Sequence, residues 1–140
     1  MARSRRRRTQ APPQRLILDS GAVIALSRHD QRARAVLTAA SETGVEVSVP
    51  SVVVAETVRG SSADAPVNQV LKAVGEVDVA DEATGRIAGG LLGGAGSAAA
   101  VDSVIVATAV QAGGAVILTG DPTDLSALAG GHPEVIIQVL

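Results

Sequence analysis

From Arg15 onward, short apolar runs alternate with longer stretches whose apolar residues recur at helical spacing. Leu16-Ile17-Leu18 is a first strand, ended by Asp19. Residues 20–28 and 30–43 read as helices, and Gly44 suits the stop of the second. Val45 to Val49 is a second strand closed by Pro50, followed by a helix from about Ser51 to Arg59 that Gly60 ends. Residues 64–74 are predicted helical, and Glu76 to Ala80 is a third strand. A helix is predicted from Asp81 to about Leu92, although Gly85, Gly89 and Gly90 oppose it. A clearer helix runs from about Ala98 to Ala112 and stops at Gly113-Gly114. Ala115 to Leu118 and Val135 to Val139 complete the strands.

Strands that alternate with helices and are apolar on both faces predict an α/β fold, a parallel sheet with helices on either side. Residues 1–14 read as a disordered basic tail, charged and Pro-containing without apolar periodicity, and residues 15–140 as one domain. No internal repeat is found. The Gly/Ala-rich stretch from Ala88 to Ala100 lacks the Lys-Ser/Thr ending of a phosphate-binding loop.

Composition narrows the chemistry. The chain has no Phe, Tyr or Trp, so its core must be built from Val, Leu, Ile and Ala. The same lack removes aromatic stacking as a way to hold single-stranded RNA. With no Cys, disulfides and thiolate metal sites are excluded. No apolar run approaches the roughly 20 residues that span a bilayer, and the basic N-terminus leads into an apolar stretch broken by Asp19, a poor signal sequence. The expectation is a soluble, cytoplasmic protein without membrane contact.

The net charge of −2 hides an asymmetry. Residues 1–15 hold six Arg and no acid, whereas residues 16–140 hold six basic and fourteen acidic residues, a balance of −8. An acidic body suits clustered carboxylates that hold cations better than it suits RNA binding by charge. The run Arg5, Arg6, Arg7 and Arg8 could add RNA affinity through counterion release, or be a solvated tail.

The acids fall at telling places. Asp19 ends the first strand and Asp121 lies just past the fourth. In open α/β sheets, sites form at the carboxyl ends of strands where the strand order reverses. If the first and fourth strands are neighbours there, Asp19 and Asp121 face one another. Asp102 lies in the first turn of the helix that feeds the fourth strand, and Glu56 is a lone charge among Val52, Val53, Val54, Ala55 and Val58. Taken singly, Asp19 is explained as a helix cap, Asp102 by the helix dipole, and Asp121 and Asp124 as turn residues. Together, four carboxylates at one end of a sheet repel, and an all-oxygen set of this kind suits Mg²⁺ or Mn²⁺.

Four segments carry a family resemblance: Leu18-Asp19-Ser20-Gly21 within 16–26, Ala55-Glu56-Thr57 within 49–60, Val101-Asp102-Ser103 within 100–109, and Leu118-Thr119-Gly120-Asp121 within 118–125. In this order and spacing the chain from about residue 15 resembles PIN domains, and is most similar to VapC-type toxins of type II toxin–antitoxin pairs. The resemblance implies a PIN-like three-layer α/β/α fold with a five-stranded parallel sheet, and Mg²⁺- or Mn²⁺-dependent cleavage of RNA. It implies that Asp19, Glu56, Asp102 and Asp121 form the catalytic cluster, with Asp19, Asp102 and Asp121 as metal ligands. Thr119 matches a hydroxyl residue that orients the carboxylates, Asp124 a further acid, and Ser20 the small hydroxyl residue after the first Asp. The implied partners are an RNA substrate, a cognate antitoxin docked on the apolar helices at 20–28 and 30–43, and a second copy in a homodimer. The Arg-rich tail and the lack of aromatics depart from the family.

Two other readings compete. A haloacid-dehalogenase-like phosphatase needs a second Asp two residues after Asp19, where Gly21 stands, and the only Lys, Lys72, is misplaced for it. A receiver domain fails similarly. A PIN-fold scaffold that binds RNA or protein without cutting is expected to have lost acids that this chain keeps. His29 and His132 are expected at the surface, outside the chemistry.

Overall fold

The computed structural model describes residues 15–140. Five strands form one parallel sheet: β1 (Arg15–Leu18), β2 (Glu46–Pro50), β3 (Val77–Asp78), β4 (Ala115–Thr119) and β5 (Val135–Val139). Seven helices connect them: α1 (Ser20–Ser27), α2 (Gln31–Glu42), α3 (Ser51–Thr57), α4 (Ala65–Val74), α5 (Glu82–Ala95), α6 (Ala100–Gln111) and α7 (Thr123–Leu128). The three-layer α/β/α fold expected from the sequence is the one observed. The Arg5–Arg8 run and the proposed tail boundary lie outside the described residues.

The strand order is β3-β2-β1-β4-β5, so β1 is central and pairs with β2 on one side and β4 on the other. The chain builds outward from β1 to β3, then crosses back over the sheet through α5 and α6 to start β4. The order reverses between β1 and β4, the place at the carboxyl ends of the strands where open α/β sheets form their sites.

The central ladder registers Leu16 with Val116, Ile17 with Ile117 and Leu18 with Leu118, and Ile17, Leu18, Ile117 and Leu118 are fully buried. Val23 of α1, Val53 of α3, and Ile105 and Val106 of α6 join this core. Branched aliphatics fill it without any aromatic, as composition requires. At β2 and β3 the expectation of strands apolar on both faces is only partly met. Ser48 is buried there and donates a hydrogen bond to Asp78 Oδ2 at 2.6 Å, while the Arg15 guanidinium reaches Glu46 at 2.9 Å, Asp78 at 3.4 Å and Glu76 at 3.5 Å.

Several boundaries move, each for a local reason. The third strand is two residues long, because its ladder with β2 consists of Val49–Val77 and Pro50–Asp78 alone. The helix of residues 64–74 is preceded by a 3₁₀ turn, Ser62–Asp64, in which Asp64 accepts backbone hydrogen bonds from Arg59, Gly60 and Ser61. α5 continues to Ala95 through five glycines and is started by an Asp81–Thr84 capping box. Residues 123–128, for which the sequence predicts no element beyond a turn at Asp121 and Asp124, form α7, which buries Leu125 and Leu128. Among the described residues, no single helix is long and apolar enough to cross a membrane.

Candidate active site

β1 ends in a buried Leu18, and the next residue must both leave the sheet and start a helix. Asp19 does this with an extended backbone, and its Oδ1 caps α1 by accepting a hydrogen bond from Ala22 N at 3.1 Å. Its own N–H donates to Leu118 O at 3.1 Å, which fastens the residue to the end of β4. The capping explanation for Asp19 is therefore correct but incomplete. Asp19 is only 8% exposed, and burial raises its carboxyl pKa above the usual aspartate value. Hydrogen bonding from Thr119 and from the Ala22 and Gly21 amides opposes the rise, and the charge of Glu56 adds to it.

β4 ends one strand away. The Thr119 side chain is fully buried, and its hydroxyl organises the exit turn: Oγ1 donates to the Asp121 carbonyl at 3.0 Å and accepts from Asp121 N at 3.0 Å. Asp121 Oδ1 in turn accepts from Thr123 N at 3.1 Å, at the start of α7. Asp121 and Asp124 are exposed on this turn.

Asp102 lies in the first turn of α6, half-buried. Its pKa is pushed up to about 6, first by burial and then by the charges of Asp124, Asp19, Glu56 and Asp121. Each of these four acids is thus within electrostatic reach of Asp102, although the five come from four separate parts of the chain. Glu56 is near the end of α3, exposed, and accepts a hydrogen bond from Ser20 Oγ, so α1 and α3 are tied together there. Ion pairs between described residues involve none of these five acids.

The donor set is hard, anionic and made of oxygen, which fits Mg²⁺ or Mn²⁺ by its chemistry. The placement is looser than a finished ligand shell. Among the described residues, no three acidic or histidine side chains converge tightly enough to hold an ion as they stand. The two observations differ in range: Coulomb repulsion acts over many ångströms, whereas a divalent cation needs oxygens at about 2.0–2.6 Å.

The histidines expected at the surface are away from the acids. His29 occupies the α1–α2 turn with a left-handed φ of 59°, and His132 lies 3.4 Å from Glu134. The larger grooves surround α2, away from the acids. One feature of the site that motif reading passes over is a close approach of Gly21 to the Gly120 backbone. Its trace in the sequence is a glycine within two residues of each of two acids, Gly21 after Asp19 and Gly120 before Asp121.

A family model for the PIN domain matches residues 16–130. No curated protein matches the chain by sequence. Among solved structures, VapBC2 from Rickettsia felis bound to a promoter DNA fragment aligns with a TM-score of 0.70 at 15% identity, over 90% of this chain and 98% of the other. A toxin–antitoxin complex from Klebsiella pneumoniae aligns with a TM-score of 0.66 at 16% identity, over 86% and 95%. VapBC-5 from Mycobacterium tuberculosis gives 0.57 at 21% identity, over 91% and 100%. Such identities establish a common fold. Because the family model spans residues 16–130, most of the chain, the chain belongs to the PIN domain family.

Proposed function

We propose that this chain is a metal-dependent endoribonuclease and the toxin of a type II toxin–antitoxin pair. The observation that carries the reading is Asp102. A half-buried carboxylate repelled by Asp124, Asp19, Glu56 and Asp121 is an arrangement that a divalent cation relieves. Asp19, Asp102 and Asp121 are the residues to hold that cation, with Glu56 beside them. When bound, Mg²⁺ or Mn²⁺ supplies Lewis acidity toward a scissile phosphate and makes water acidic enough to attack near neutral pH.

The protein's own part is to hold the oxygens. Asp19 is fixed by its capping hydrogen bond and by the ladder to β4. Thr119 sets the turn that presents Asp121. Ser20 commits one oxygen of Glu56 and leaves the other to a ligand. No histidine base is needed in this scheme. The acidic body makes neutralisation by cations a condition for RNA to approach at all.

The toxin assignment rests on the family and on neighbours that are themselves toxin–antitoxin complexes. A groove of about 210 Å³ between α1, α2 and α4, lined by Leu26, Leu37, Pro66 and Val70 with His29 and Arg34 at its rim, supports an antitoxin segment as occupant. A homodimer is part of the same proposal. A purified chain that is monomeric counts against the homodimer, and growth unaffected by expression of the chain alone counts against the toxin reading and its antitoxin.

Asp19→Asn and Asp102→Asn are expected to lower Mg²⁺- or Mn²⁺-dependent cleavage of single-stranded RNA on the order of 100-fold or more. Wild-type rates in either variant sink the site assignment. The lack of a ready three-oxygen shell favours one second reading, a PIN-fold scaffold that binds RNA without cutting. RNA binding by the wild-type chain that is unchanged by EDTA, with no cleavage in Mn²⁺, selects it.

A further inference from the structure

Gly21 is the second residue of α1, directly after Ser20 and two residues from Asp19. Its φ is outside the left-handed region, so conformational freedom does not explain a glycine there. Space does. A β-carbon on Gly21 would lie 3.1 Å from Gly120 N, 3.4 Å from Gly120 Cα and 3.5 Å from Asp19 Oδ1. The first of these contacts is tighter than side-chain carbons normally make, and the atom it meets is backbone. Gly120 is different, since nothing lies within 4 Å of the position its own β-carbon would take.

We infer that Gly21 is a positioning residue, whose missing side chain lets the first turn of α1 lie directly against the Thr119-Gly120-Asp121 backbone and so sets the separation of Asp19 from Asp121. What that separation serves rests on the nuclease reading above. The two acids leave adjacent strands, which in a parallel sheet are about 4.8 Å apart. Bridging them with one small cation that demands near-ideal octahedral geometry leaves a tolerance of a few tenths of an ångström. The shift needed to admit a methyl group at position 21 is of that size. It would fall on the turn that carries Asp121, because Asp19 is held both by its cap and by Leu118 O.

The test compares Gly21→Ala with Gly120→Ala. Helix propensity alone favours Ala over Gly at position 21, so damage from that variant cannot come from a weakened α1. In metal-free protein, Gly21→Ala is expected to move the ¹H–¹⁵N resonances of Gly120 and Asp121 while those of β5 stay in place. Calorimetric titration with Mn²⁺ is expected to show Gly21→Ala bound about ten-fold more weakly than wild type and Gly120→Ala close to wild type. KM for RNA should hold while kcat falls. Unmoved Gly120 and Asp121 amides, wild-type Mn²⁺ affinity in Gly21→Ala, or equal damage from Gly120→Ala each overturn the inference. A wild-type chain that binds no Mn²⁺ sinks the nuclease reading instead, and the amide shifts then decide the role of Gly21 on their own.

Discussion

At Asp102, burial and four like charges act in the same direction and raise the carboxyl pKa to about 6, above the usual aspartate value near 4. Because the folded-state value is the higher one, the folded chain keeps a proton between about pH 4 and 6 that the unfolded chain releases. Ionised Asp102 therefore costs stability, a cost absent below about pH 4 and complete above about pH 6. Asp102→Asn is expected to raise the unfolding free energy at pH 8 in EDTA by about 1–2 kcal/mol once solvent screening is allowed for. The gain should fade as pH approaches 4, and equal melting temperatures at pH 8 refute it. A destabilising carboxylate retained at this position is the trade-off expected of a functional site. The acids themselves were visible in the sequence because charged residues at strand ends and in an apolar helix stand out. Gly21 was not, because its role depends on a backbone that arrives from a hundred residues later.

Among the elements, α5 shows where local propensity and tertiary context conflict. Its glycines argue against the helix predicted to about Leu92, yet the Asp81–Thr84 box starts it and it runs on to Ala95, packed against α6. Gly85, Gly89 and Gly90 are exposed, with open space where a β-carbon would go. Each change to Ala is expected to stabilise the protein by about 0.5–1 kcal/mol, read from the denaturant midpoint at unchanged slope. A loss of stability would show that the helix needs its bare face. The opposite lesson comes from α7. Asp121-Pro122-Thr123-Asp124 is turn-forming by composition, and only the burial of Leu125 and Leu128 makes residues 123–128 a helix. β3 shrinks to two residues because a strand ends where its partner's ladder ends.

For the whole molecule, the order β3-β2-β1-β4-β5 puts Asp19 and Asp121 just past the carboxyl ends of adjacent strands. The sheet that holds this order has no aromatic side chains and depends on close packing of branched aliphatics. Ile117 lies on central β4, fully buried and registered with Ile17 of β1 and Ile137 of β5. Ile117→Ala is expected to cost about 2–5 kcal/mol, a large share of a typical domain's 5–15 kcal/mol, and to weaken the fold and metal binding together. A variant with lower stability but wild-type Mn²⁺ affinity would refute the coupling between frame and site. Wild-type stability would mean that the central ladder is not where the fold is held.

The sequence by itself determined the alternation of strands and helices, an aliphatic core, the absence of thiol and aromatic chemistry, and which carboxylates were out of place. These are properties of periodicity and residue type, readable one segment at a time. Only the tertiary structure decided that β1 and β4 are neighbours, that α7 exists, that Ser20 reaches Glu56, and that Gly21 meets Gly120. Each of those depends on which distant segments pack together, and burial and register are energies of pairs of segments rather than of either one alone.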